Sequence, residues 1–108
     1  MKVITVGTRR GDINLRHIDN TLDDLQHEVC GYIQTCAPAQ LRTKNIEMLV
    51  NEEGLLIGLD MNENLLPFFF VGPAVFVGVD GEDFCSLTKF QMNFVKEWLE
   101  KLHTEWIS

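Results

Sequence analysis

Long apolar runs, positive charge and cysteine are all scarce in this chain, and each shortage removes a class of function. The longest apolar stretch, Leu65–Val79, is broken by Pro67, Gly72, Pro73 and Gly78. It reads poorly as a membrane span, which needs roughly 20 consecutive apolar residues. Nine Lys and Arg against sixteen Asp and Glu leave a formal charge of −7. Such a field repels polyphosphate and anionic lipid at long range, so neither nucleic acid nor membrane is an expected partner. Its plain meaning is solubility, and its sharper meaning is a face for a basic protein partner. Cys30, Cys36 and Cys85 are odd in number and show no framework of matched pairs, as expected of reduced, partly buried thiols in a cytosolic protein. Met1-Lys2 runs directly into a strand-like segment and lacks the character of a signal sequence.

What is present suffices for one core. A chain of 108 residues, 45% of them apolar, is long enough for a single domain and short for two. Seven Phe and two Trp supply large packing units. Val3–Val6 predicts a strand, joined through the polar Thr8–Asp12 to a partner carrying Ile13 and Leu15. Asn20 or Thr21 opens a short helix whose apolar face is Leu22, Leu25 and Val29, with Gly31 as its stop. Tyr32–Cys36 favours a strand, and Ala37–Lys44 a connection. Ile46–Val50 and Leu55–Leu59 flank Asn51-Glu52-Glu53-Gly54, which predicts a hairpin turning at Asn51 and Gly54. A short helical turn is expected within Glu63–Phe70, limited by Pro67. Ala74–Val79 predicts a buried strand that turns at Asp80-Gly81 towards Phe84-Cys85.

The strongest helix begins at Thr88, with Gln91 at the reciprocal capping position. Phe90, Phe94, Trp98 and Leu102 recur every four residues, widened by Val95, Leu99 and Trp106. The expected fold class is therefore α+β: a compact antiparallel or mixed sheet covered by a short helix and a long C-terminal helix, in one domain over residues 1–108.

The order of these signals resembles the DUF3846 domain family. The matching pieces are Ile18-Asp19-Asn20 with Leu22 and Leu25-Gln26; Val29 with Gly31-Tyr32-Ile33; Asn51 to Gly54; Val71-Gly72-Pro73; and Asp80 to Phe84 through Ser86-Leu87-Thr88 and Gln91. Cys30 departs from the pattern at a position expected to be small, often glycine. The resemblance implies a small protein of phages, plasmids or other bacterial mobile elements, acting in the cytoplasm of the host. It carries over no catalytic residue. Proteins from such settings include inhibitors of host defence and scavengers of signalling nucleotides.

No motif announces catalysis. His17, His27 and His103 lack the repeated ligand spacing of a zinc site, and Cys30 and Cys36 are too far apart for CxxC, so neither a metal nor a cofactor is expected. Glu52 and Glu53 lie side by side at a turn, with nothing to separate their proton affinities as hydrolysis requires. Their plain role, with Asn51, is a turn; the sharper role is a recognition contact by Asn51 or Glu52. Gly7-Thr8-Arg9-Arg10-Gly11 lacks the spacing of a phosphate-loop NTPase, though Arg9 and Arg10 could hold a phosphate without transferring it. A small nucleotide would then stack on Tyr32 or Phe68 and present a polar edge to Asn64. For Phe68-Phe69-Phe70, core packing on both faces of a covered segment stands against a homodimer seam or docking patch. The expectation is a non-enzymatic binding protein whose partner is a host protein or a second copy of itself. A sponge for a small signalling nucleotide is the alternative, and a soluble accessory protein the plain reading.

Overall fold

The computed structural model describes the backbone of residues 1–107 and the side chains of residues 1–104. Six antiparallel strands form one sheet: β1 (Lys2–Val6), β2 (Ile13–His17), β3 (Ile33–Thr35), β4 (Ile46–Asn51), β5 (Ala74–Asp80) and β6 (Asp83–Cys85). The order is β2-β1-β5-β4-β3, with β6 pairing the far end of β5. Helices α1 (Leu22–Val29) and α3 (Lys89–Ile107) are joined by a four-residue helix, α2 (Ala39–Arg42), and by a 3₁₀ turn at Glu63–Leu65. The fold is α+β.

Strand alternation decides the layers. Ile4, Val6, Ile46, Met48, Ala74 and Phe76 point to one face and pack with α3 and Leu41 of α2. Val3, Leu49, Val75 and Val77 point to the other and pack with Leu25 and Val29 of α1. β5 is the spine, paired with β1 at Ile4↔Phe76 and with β4 at Met48↔Phe76. With both neighbours supplied, its backbone is satisfied and Val75, Phe76 and Val77 can all be buried.

Each helix starts where its capping residue stands. Thr21 Oγ1 accepts from the Asp24 amide at 3.2 Å. Thr88 and Gln91 make the reciprocal pair: the Gln91 amide donates to Thr88 Oγ1 at 3.1 Å, and the Thr88 amide to Gln91 Oε1 at 2.9 Å. Gln91 Nε2 also donates to the Lys44 and Asn45 carbonyls, pinning the start of α3 to the turn before β4. α1 ends with Cys30 in the left-handed region at φ 65°, its amide on the His27 carbonyl and the Gly31 amide on the Gln26 carbonyl. The left-handed residue is thus Cys30, where glycine is the usual choice.

Four expectations need correction. Leu22 is exposed, so the buried face of α1 is Leu25 and Val29. Phe90 is exposed as well, and the buried stripe of α3 is Val95, Trp98, Leu99 and Leu102. Steps of four residues overshoot a 3.6-residue turn by about 40° each, so two steps carry Phe90 well round the helix from Trp98. The Trp106 side chain lies outside the described residues.

The third correction is the hairpin. After Asn51 the chain does not return as a strand; residues 52–58 form a compact turn in which the Ile57 amide reaches the Glu53 carbonyl and the Leu59 amide the Gly54 carbonyl. β4 is instead flanked by β3 and β5. Both of its edges are taken, which leaves no lane for Leu55–Leu59. The aromatic run is not core on both faces either. Phe70 packs against the α3-side core and Phe68 stacks on Trp98 at 5.9 Å, but Phe69 turns away.

Candidate functional site

One end of the sheet gathers most of the irregular chain, residues 7–12, 30–32 and 52–73. β1 and β4 end there and β2, β3 and β5 begin there. Three buried asparagines hold its loops, each with the same chemistry. Asn51 Nδ2 donates to the Val29 and Cys30 carbonyls at 3.1 and 3.0 Å, while its Oδ1 accepts from the Glu53 amide at 2.7 Å. Asn62 Nδ2 donates to the Val6 and Gly72 carbonyls at 3.2 and 2.9 Å, and its Oδ1 accepts from the Asn64 amide at 3.0 Å. Asn64 Nδ2 donates to the Gly7 and Arg9 carbonyls at 2.8 and 2.7 Å, and its Oδ1 accepts from the Gly11 amide at 2.8 Å. A carboxamide suits this work because it offers two donors and an acceptor in one plane. Buried main-chain groups that no strand reaches are satisfied in this way.

Backbone bonds complete the frame. The Asn62 amide donates to the Phe70 carbonyl at 2.8 Å and the Gly72 amide to the Asp60 carbonyl at 2.7 Å, around a bridge between Met61 and Val71. Gly72 sits at φ 78°, where a side chain would be strained. The segment from Asn51 to Gly72 is thus tied at both ends and in its middle.

On this fixed frame stand side chains that the core does not use. Leu55, Leu56 and Ile57 are 81%, 87% and 54% exposed, Phe69 is 74% exposed and Tyr32 is 64% exposed. Leu55, Leu56 and Phe69 share the walls of a cleft of about 340 Å³ with Gln34, Val50 and Glu52. Tyr32 adjoins it, its carbonyl accepting from the Glu52 amide at 2.8 Å. Glu52 and Glu53 are exposed, so the apolar patch has an acidic margin.

The residues singled out from the sequence therefore fall into two groups. Tyr32 and Glu52 lie at the patch, with Asn51 beneath as its anchor. Arg9 and Arg10 lie on the loop that Asn64 holds, and both are exposed. The Arg10 amide donates to Glu63 Oε2 at 2.9 Å, and its guanidinium contacts His103 Nδ1 of α3. Phe68 lines neither of the two clefts and stacks on Trp98 and Phe70. The structure does not bring Tyr32 to Arg9 and Arg10 in one pocket; the two clefts share no lining residue. Both amide protons of Asn51 and Asn64 are spent on the main chain, and these side chains work as struts.

Sequence reasoning missed Leu55, Leu56 and Ile57. Their run after a turn reads as a covered strand, and only the occupied edges of β4 show otherwise. The cysteines differ from one another: Cys30 is exposed, while burial, reinforced by Glu47 and opposed by Arg42, pushes the Cys36 thiol up to about 11. Among the described residues no three His, Cys, Asp or Glu side chains converge as a metal site would need, and no helix is long and apolar enough to cross a membrane.

The chain belongs to the DUF3846 family, a domain of unknown function whose family model matches residues 1–103. No curated protein and no solved structure gives a match.

Proposed function

We propose that this is a non-enzymatic binding protein that works by occupancy, docking a protein partner on the apolar patch at the loop end of the sheet. One observation carries the reading: Leu55, Leu56 and Ile57 are exposed on a segment that two buried asparagines and a β-bridge hold in place. Exposed aliphatic side chains on a fixed frame bring the free protein no burial. They suit an interface, since a preordered loop loses little conformational entropy on binding. The rim of Glu52 and Glu53 and the formal charge of −7 favour a partner with basic residues around an apolar contact. The setting implied by the family resemblance, a phage or mobile element in a bacterial host, makes a host defence component the class of target to examine first.

A photoreactive amino acid placed at Leu56, and separately at the exposed Phe90 on α3 as a control, tests this in the producing cell. The expected result is one dominant cross-linked host protein from position 56, absent from position 90 and lost in a Leu55→Asp variant. Cross-linking to a second copy of the chain would replace the host partner by self-association. Indistinguishable, diffuse cross-linking at both positions would contradict a docking patch.

A further inference from the structure

A second cleft, of about 680 Å³, lies between the Gly7–Asp12 loop and α3, and is lined by Arg10, Ile13, Lys96, Leu99, Glu100 and His103 among others. Its size is that of a small-molecule site. The chemistry of its walls is divided. Ile13 and the nearly buried Leu99 make an apolar floor. Lys96, Glu100 and His103 stand along one stripe of α3, at spacings of four and three residues. Arg10 faces them from the loop. Two of the nine Lys and Arg side chains line this cleft against one lining carboxylate, Glu100, and among the described residues neither cation forms an ion pair with a carboxylate.

The loop that carries Arg10 is held in place. Asn64 grips the loop through the Gly7 and Arg9 carbonyls and the Gly11 amide, and Glu63 takes the Arg10 amide. The Arg10 guanidinium contacts His103 at Nδ1. Arg10, Lys96 and His103 therefore offer N–H groups of three kinds around one apolar floor. Glu100 is the acid in the lining. It works against a chain of phosphates and can accept from a hydroxyl or amine.

We infer that this cleft binds a small ligand with a flat ring and a single phosphate, of the nucleoside monophosphate class. The ring lies on Leu99 and Ile13, the phosphate meets Arg10, Lys96 and His103, and Glu100 accepts from a sugar hydroxyl. The inference is independent of the docking patch, which lies in a different cleft.

Titration with AMP followed by two-dimensional NMR tests it, with adenosine and inorganic phosphate as probes of the two halves. AMP should shift the Gly11, Ile13, Lys96 and His103 amide signals and saturate, and adenosine and phosphate should each bind at least tenfold more weakly. Lys96→Met changes an exposed side chain and should keep the rest of the spectrum while weakening AMP at least tenfold; Arg10→Ala should do the same. A Leu55→Asp/Leu56→Asp variant should bind AMP like the parent, which separates this site from the patch. Absence of saturable shifts, adenosine binding as tightly as AMP, or unchanged affinity in Lys96→Met would overturn the inference.

Discussion

On β5, Val75, Phe76 and Val77 are all buried, whereas Leu55, Leu56 and Ile57, three apolar residues in a row just after β4, stand in solvent. Both triplets are wholly apolar. Their backbones differ. β5 lies between β1 and β4 and receives a ladder on each side, so both faces of the strand can be covered. The chain after β4 finds β3 and β5 already in place, closes its own hydrogen bonds within a tight turn, and leaves its side chains outside. Burial follows the availability of main-chain partners as much as hydrophobicity.

The largest effect that sharpens this contrast is expected at the spine. Phe76→Ala empties a fully buried site that borders Trp98, and should cost about 3–5 kcal/mol in a denaturant titration. Leu56→Ala should change stability by no more than about 0.5 kcal/mol on the same assay. Equal losses would erase the distinction between the two regions.

Next in size is the strut. Asn62→Ala removes three hydrogen bonds to the main chain and should cost about 3 kcal/mol, at roughly 1 kcal/mol each. The loss should be accompanied by faster proteolysis within residues 52–72, while the β4–β5 amides stay protected. A change confined to the sheet would show that the loop frame does not depend on Asn62.

A smaller effect concerns the thiols. Cys36 titrates in the fold at about 11, above its ordinary value of 9.0, so the fold prefers the neutral thiol. Its contribution to stability is complete below pH 9 and is lost as pH rises towards 11. Urea midpoints at pH 8 and pH 10.5 should therefore fall further apart in the parent than in Cys36→Ala. Smaller still, Cys30→Gly relieves the left-handed residue at the end of α1 and should raise stability by up to about 1 kcal/mol, less the greater freedom of glycine in the unfolded chain.

Much of the body was legible because local chemistry and tertiary packing agree there. Thr21, Thr88 and Gln91 cap the helices they announce, and the apolar run Ala74–Val79 belongs to a strand covered on both faces. The first hairpin, β1 to β2, forms in the register its turn allows. At Asn51 and Gly54 the same local reasoning failed. Asn51 turns the chain, but its side chain is bound to the end of α1, and the pairing lanes of β4 are filled by strands distant in sequence. Asn62 and Asn64 carry no signal of burial at all, because a single asparagine between loops looks the same whether it faces water or ties three backbone groups. The site was half legible for that reason: Tyr32, Glu52, Arg9 and Arg10 are surface residues at the loop end, but their division into two clefts depends on contacts across the sheet.

The central claim is that the exposed apolar residues are displayed on a rigid frame in the free protein. Hydrogen exchange of the Glu53, Leu59, Asn62 and Gly72 amides measures this directly, because each donates to a bond that exists only if the frame does. These four amides should exchange at least about 100-fold more slowly than an unstructured chain, as expected if the frame opens at a cost near 3 kcal/mol. Asn62→Ala should abolish the protection of the main-chain amides at position 62 and Gly72. Exchange of all four at the rate of an unstructured chain in the intact protein would contradict the account, since Leu55, Leu56 and Ile57 would then belong to a fluctuating loop with no surface to present.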